Sequence, residues 1–259
     1  MRRAQSLTAS LATLALALAG CGGSAKPAPV EPGPTVDEPV ADAGADEPPE
    51  DEDLEIVSTV GKFDPDEATA KFAPHVPALN ACYTDQLARR RWLGGTVELT
   101  WVVAQDGTLE HVRLSRSDLG AWPIEQCLLQ VAQGVAFGKP HGHGKAEVTF
   151  PVTFAGGSAA LAWDEDQGLR AVGGKAKDLA TCAKAAGGDP ANVTITIYVG
   201  TRGKVQSVGF AAPTPLPPAW ADCAAGKIAA WMLTDPRGKV AKLAYLYHPV
   251  ATDDEDSED

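Results

Sequence analysis

The chain repeats itself. Setting Cys127 on Cys223, a shift of 96 positions, brings Val97 onto Val193, Thr100 onto Thr196, Val103 onto Val199, Gly107 onto Gly203, Val112 onto Val208 and Pro140 onto Pro236 without a gap. Only eight of the 46 positions between 97 and 142 are identical, so the repeat lies in the pattern. Two stretches of alternating apolar residues coincide, as do the glycine between them and a cysteine-bearing segment at equal distance behind them. Upstream, Cys82 meets Cys182 once four residues are dropped near residues 89–93, in a loop where deletion is tolerated. Such a chain is constrained to two copies of one small α+β unit, each with its own pair of cysteines.

Each copy reads as helix, hairpin, helix, strand. In the first, Asp64-Pro65 starts a helix over about residues 65–91 that Pro74 and Pro77 interrupt and Gly94-Gly95 stops. Residues 96–104 alternate Val97, Leu99, Trp101 and Val103 against Thr96, Glu98, Thr100 and Val102, as a half-buried strand does. Gln105-Asp106-Gly107-Thr108 is a hairpin turn. The returning strand, residues 109–116, has Leu109 out of phase with Val112 and Leu114, which points to a bulge or an irregular start. Pro123 opens a second helix with Ile124, Cys127, Leu128 and Val131 at helical spacing, and residues 146–154 close the unit. Pro151 has no N–H to give a ladder, so this last strand belongs at an edge. The second copy places the same elements at residues 177–186, 192–200, 204–211, 218–232 and 240–248, with Trp220, Ile228 and Trp231 lining its second helix. The units span residues 56–154 and 176–250, and residues 155–175 read as a linker whose Trp163 is expected to pack on a neighbouring domain.

Ahead of the first unit, Arg2 and Arg3 precede an apolar run at residues 11–18 and then Leu18-Ala19-Gly20-Cys21. A basic end, an apolar core and small residues before a cysteine suit translocation followed by cleavage, and the core is too short to span a bilayer as a permanent helix. Residues 1–21 resemble the bacterial lipoprotein signal, or lipobox. That resemblance implies that Cys21 receives a diacylglycerol, becomes the first residue after cleavage and anchors the protein in the lipid bilayer. Gly22 behind it implies, by the sorting rule of such lipoproteins, the outer membrane with the protein facing the periplasm. Residues 22–55, rich in Pro, Ala, Asp and Glu, cannot bury enough apolar surface to offset the entropy of ordering and read as a disordered tether. Fully extended they reach on the order of 110 Å. Residues 251–259 read as an acidic tail.

The formal net charge is -12, but residues 22–55 hold 11 acids and residues 253–259 six, which leaves 17 acids against 19 Lys and Arg in between. The acidity belongs to the ends, and a nearly neutral body gives no field to steer a basic ligand. No basic stripe with interleaved aromatics is present, so nucleic acid is not expected as a partner, and Arg89-Arg90-Arg91 reads as the charge group of a helix C-terminus. Lipidating Cys21 removes the odd member of five cysteines and leaves Cys82, Cys127, Cys182 and Cys223 for structural disulfides, with three connectivities open to four cysteines. The absence of Cys-x-x-Cys argues against a redox or thiolate-zinc site.

A set of residues in the first copy carries a family likeness: Cys82, Gly95-Thr96-Val97-Glu98-Leu99, Asp106-Gly107, Val112, Ser115, Cys127, Phe137-Gly138-Lys139-Pro140 and Val148-Thr149-Phe150-Pro151-Val152-Thr153-Phe154. With the element order, this resembles the TonB C-terminal-like domain and, more closely, the AgmX/PglI C-terminal domain family of envelope proteins associated with gliding motility. The likeness covers residues 76–154 and, more loosely, 177–248. The second copy has Thr234-Asp235-Pro236 where the first has Gly-Lys-Pro, and it lacks the Phe-Pro-Val-Thr-Phe close. The resemblance implies two such α+β domains, disulfides Cys82–Cys127 and Cys182–Cys223, and a non-catalytic module that binds a peptide of an unidentified envelope protein by strand addition. A motility or trans-envelope complex is the implied setting. A lipid anchor in place of a transmembrane helix removes direct coupling to an inner-membrane motor.

Catalytic chemistry is sparse. His141-Gly142-His143 has the spacing of two metal ligands but is one or two ligands short, and His75, His111 and His248 are scattered without a framed nucleophile. Asp164-Glu165-Asp166 reads as a solvated stretch, and no glycine-rich phosphate loop stands at a strand-to-helix junction. The chain reads as no enzyme, with no cofactor and no catalytic or metal residues. The alternative is a metal or redox accessory protein using His141, His143 or an exposed disulfide.

Overall fold

The protein is mixed α+β, with two sheets that each pack helices against one face. The computed structural model describes residues 60–87 and 90–249. The lipobox with Cys21, the tether, the acidic tail and Arg89 lie outside the described residues. The described residues fall within one compact unit.

Helix α1 (Pro65–Phe72) starts where Asp64 accepts the N–H groups of Asp66 at 2.9 Å and Glu67 at 3.0 Å, satisfying two of the donors a helix start leaves open. Pro74 falls in a 3₁₀ turn, Ala73–His75, before α2 (Val76–Leu87), so the expected interruption is present. Strands β1 (Gly95–Val103) and β2 (Leu109–Ser117) pair antiparallel. In their turn the Asp106 carboxylate accepts both the N–H and the hydroxyl of Thr108, which hold its pKa below the usual value. The register slips twice, so that neither Glu110 nor Ser115 stands directly opposite a residue of β1. The first slip is the irregularity that Leu109 called for, and Leu109 packs against the core. After α3 (Trp122–Ala132), β3 (Ala146–Phe154) pairs with the other side of β1. The order is β2-β1-β3, and Pro151 lies on an edge strand as expected. Val97, Leu99, Trp101 and Val103 face the helices and are almost wholly buried. Trp101 also donates its indole N–H to the Ala132 carbonyl at 2.8 Å. Burying that ring contributes on the order of 5 kcal/mol before entropy is counted.

The C-terminal half comprises β4 (Leu161–Ala162), α4 (Glu165–Val172), a 3₁₀ stretch at Gly173–Cys182, α5 (Ala183–Ala186), β5 (Val193–Val199), β6 (Val205–Ala211), α6 (Pro218–Ala229) and β7 (Ala241–Tyr247). Its sheet has the order β4-β7-β5-β6, in which β6, β5 and β7 stand as β2, β1 and β3 do in the first sheet. Three expectations change here. The linker at residues 155–175 contains β4, parallel to β7, and α4, whose start is a reciprocal pair of hydrogen bonds between Asp164 and Gln167. That capping box was hidden inside an acidic run. Trp163 packs against the C-terminal core. The helix expected over residues 177–186 is mostly 3₁₀, opened by Gly173-Gly174 with no side chain to cap it. The second helix ends at Ala229, after which Trp231 is buried and Met232 bridges Lys204.

The two halves share an interface. Tyr198 of β5 packs in the N-terminal core and its hydroxyl donates to the Gly94 carbonyl at 2.8 Å. Trp122 of α3 packs in the C-terminal core and its indole N–H donates to Asp222 at 2.7 Å. The connection between β2 and α3 lies against the C-terminal sheet, and Gly120 there has φ +68°, with Thr196 Cγ2 only 2.8 Å from where a Cβ would stand. Opposite, a Cβ on Gly209 would run into the Glu125 carboxylate. Close approach at these two glycines brings the halves together.

Candidate functional site

A groove of about 570 Å³ follows the outer edge of β2. Its floor is the edge itself, from Leu109 to Leu114. One wall is α3, through Gln126, Leu129, Gln130 and Gln133, and the far end is closed by Trp122, Phe210 and the Pro215, Leu216 and Pro218 side chains of the C-terminal half. At that end the Leu114 carbonyl accepts the Ala212 N–H at 2.9 Å, so the backbone of Leu114 is turned away from β1. The register is continuous from Leu114 to His111, and the two-residue alternation of an antiparallel strand turns the N–H and C=O of Val112 the same way. The edge thus offers main-chain partners beside a wall that carries three glutamines and an end that is apolar. Its other face is polar: Arg113 pairs with Glu147 at 2.7 Å and lies 3.3 Å from His111 Nε2, and its Nε is buried without a hydrogen-bond partner. Glu110, the bulged residue, is 3.5 Å from Lys145.

Of the residues singled out in the sequence, the four body cysteines are brought together as two disulfides, Cys82–Cys127 between α2 and α3 and Cys182–Cys223 between the 3₁₀ stretch and α6. Each has its Cα atoms 5.7 Å apart. Cys82 and Cys182 are buried. His141 is exposed, bridges Lys62 through the backbone and stands 3.6 Å from Glu67. His143 is also exposed. Asp164 serves as a helix cap.

One residue was not anticipated. Glu125 of α3 is wholly buried at the junction of the halves, where it accepts the Ser117 hydroxyl at 2.7 Å and the Phe210 N–H at 2.8 Å. Backbone N–H groups of Gly120 and Ala121 also favour its charged form, but burial outweighs them and raises its pKa to about 7. The available signal was an acid between Ile124 and Leu128 on the apolar stripe of a helix. No family model, curated protein or solved structure matches the chain.

Proposed function

We propose that the protein is a lipid-anchored lipoprotein of the cell envelope, held through Cys21 in the outer membrane and facing the periplasm, that works as a non-catalytic interaction module. It binds extended peptides of an envelope partner by strand addition to β2, within a motility or trans-envelope complex. The observation that carries this reading is the outward-turned backbone of Val112 next to the groove between α3 and the C-terminal half. The resemblance to AgmX/PglI C-terminal domains supports it. So do the corresponding strand orders of the two sheets and the helix-to-helix disulfide in the N-terminal half, which fit a duplicated unit.

The test is selection of random dodecapeptides against the mature protein, followed by amide exchange. Peptides that bind by strand addition slow exchange at Val112 and are lost in Val112→Pro, which keeps the pairing with β1. Selected peptides that leave Val112 exchange unchanged, or that bind Val112→Pro equally well, overturn the reading.

A further inference from the structure

The stretch of β2 open to another chain is short. At one end the Leu114 carbonyl already accepts the Ala212 N–H, so an added segment stops before that position. At the other end His111 faces Val102 while Leu109 faces Val103, and the bulge at Glu110 breaks the alternation that turns backbone groups outward. Between these ends, Val112 turns both its N–H and its C=O outward in register. Two main-chain bonds at one residue give a small net gain, because each replaces a bond to water. Binding at this edge therefore depends on a side chain.

The pleat decides which one. A residue paired with Val112 puts its side chain on the same face of the sheet as Val112, and Val112 stands opposite Trp101 on the face that packs the helices. That side chain enters the groove of about 570 Å³ between α3 and the C-terminal half, while its two neighbours in the partner turn to the face of His111 and Arg113. The closed end suits an apolar group. Phe210 stands edge-on to Trp122 with ring centroids 5.7 Å apart, the Trp122 N–H is already bonded to Asp222, and Leu216 and Pro218 carry no polar side-chain atom. The wall on α3 adds Leu129 and three glutamines and no charge, so a charged group placed here would lose water and gain no counter-ion.

Given strand addition to β2, on which this rests, we propose that the partner is held through one large, uncharged, apolar side chain, that of the residue paired with Val112, seated between α3 and the end formed by Trp122, Phe210 and Leu216. The partner is thus a short extended motif with a single Phe, Trp, Leu or Met anchor. A long strand with main-chain bonds along its length does not fit the stretch between Glu110 and Leu114.

Peptides selected on the mature protein from a random dodecapeptide library test this, with each position of the tightest one then changed to alanine and to glutamate. One position is expected to lose about thirtyfold or more in affinity on either change, and every other position less than about threefold on the change to alanine. Isotope-edited NMR of the complex is expected to place the sensitive side chain against Leu129 and Leu216. In the protein, Leu216→Ser is expected to weaken the same peptide about tenfold, and the peptide series stands by itself if that variant fails to fold. Peptides that slow amide exchange at Val112 but lose affinity evenly along their length, or whose sensitive side chain lies against His111 and Arg113, overturn the anchor and leave strand addition standing. Peptides that leave Val112 exchange unchanged overturn both.

Discussion

The carboxylate of Glu125 accepts the backbone N–H of Phe210 at 2.8 Å, a bond between the two halves of the molecule made with no exposure of the acid. Its folded pKa of about 7 stands above the ordinary 4.5. A carboxyl raised in this way favours the folded state fully below pH 4.5, and that contribution is lost as pH rises through about 7, on the order of 3 kcal/mol across the window. Urea unfolding between pH 4.5 and 8 is expected to show this decline. Glu125→Gln flattens it, whereas Glu125→Ala strands several donors and costs about 2–4 kcal/mol near pH 4.5, a cost that shrinks as pH rises through about 7.

Gly209→Ala is expected to destabilise by about 1–3 kcal/mol, because its methyl group must displace a packed carboxylate and the Ala121 N–H beside it. Gly226→Ala, in the interior of α6 with open space around it, is expected to stabilise by about 1 kcal/mol. Denaturant midpoints of the two variants should move in opposite directions.

Removing Cys82–Cys127 by a double serine substitution releases a 45-residue loop in the unfolded chain and is expected to cost about 4 kcal/mol. Thiol alkylation of the native, unreduced protein should label none of the four body cysteines until the chain is reduced and unfolded. Labelling without reduction would favour the redox accessory over the interaction module.

Asp64→Ala removes the acceptor for two N–H groups at the start of α1 and is expected to cost about 1 kcal/mol, recovered in Asp64→Ser. Thermal unfolding of the three proteins checks the order.

Much of the fold could be read because it is local. Alternation identified β1, β2 and β3 with their facing, Leu109 out of phase announced the slip at Glu110, Pro151 marked an edge, and Asp64-Pro65 marked a helix start. The 3₁₀ stretch before α5 was read as a helix because Ala and Lys suit either, and two glycines with no cap decided it. The binding groove was only half legible. Strand addition at an edge was expected, but the wall made by Phe210 and Leu216 comes from residues about a hundred positions away.

Spacing and periodicity carry short-range geometry, so the repeat, its strands and the cysteines of each copy follow from the order of residues. Which surfaces meet is a different matter, since it depends on shape matching between segments distant in the chain. Under the 96-residue shift Gly209 corresponds to Arg113 and Tyr198 to Val102. The C-terminal sheet can therefore receive the Gly120 turn on Gly209, while Arg113 occupies the matching position of the first sheet and bonds Glu147 across it. The recurrence of apolar alternation, glycine and cysteine at a shift of 96 was evident from the chain. That the C-terminal sheet accepts the turn ahead of α3, closing a groove on β2 and burying Glu125, was decided by packing, where one methyl group more or less determines whether two backbones approach.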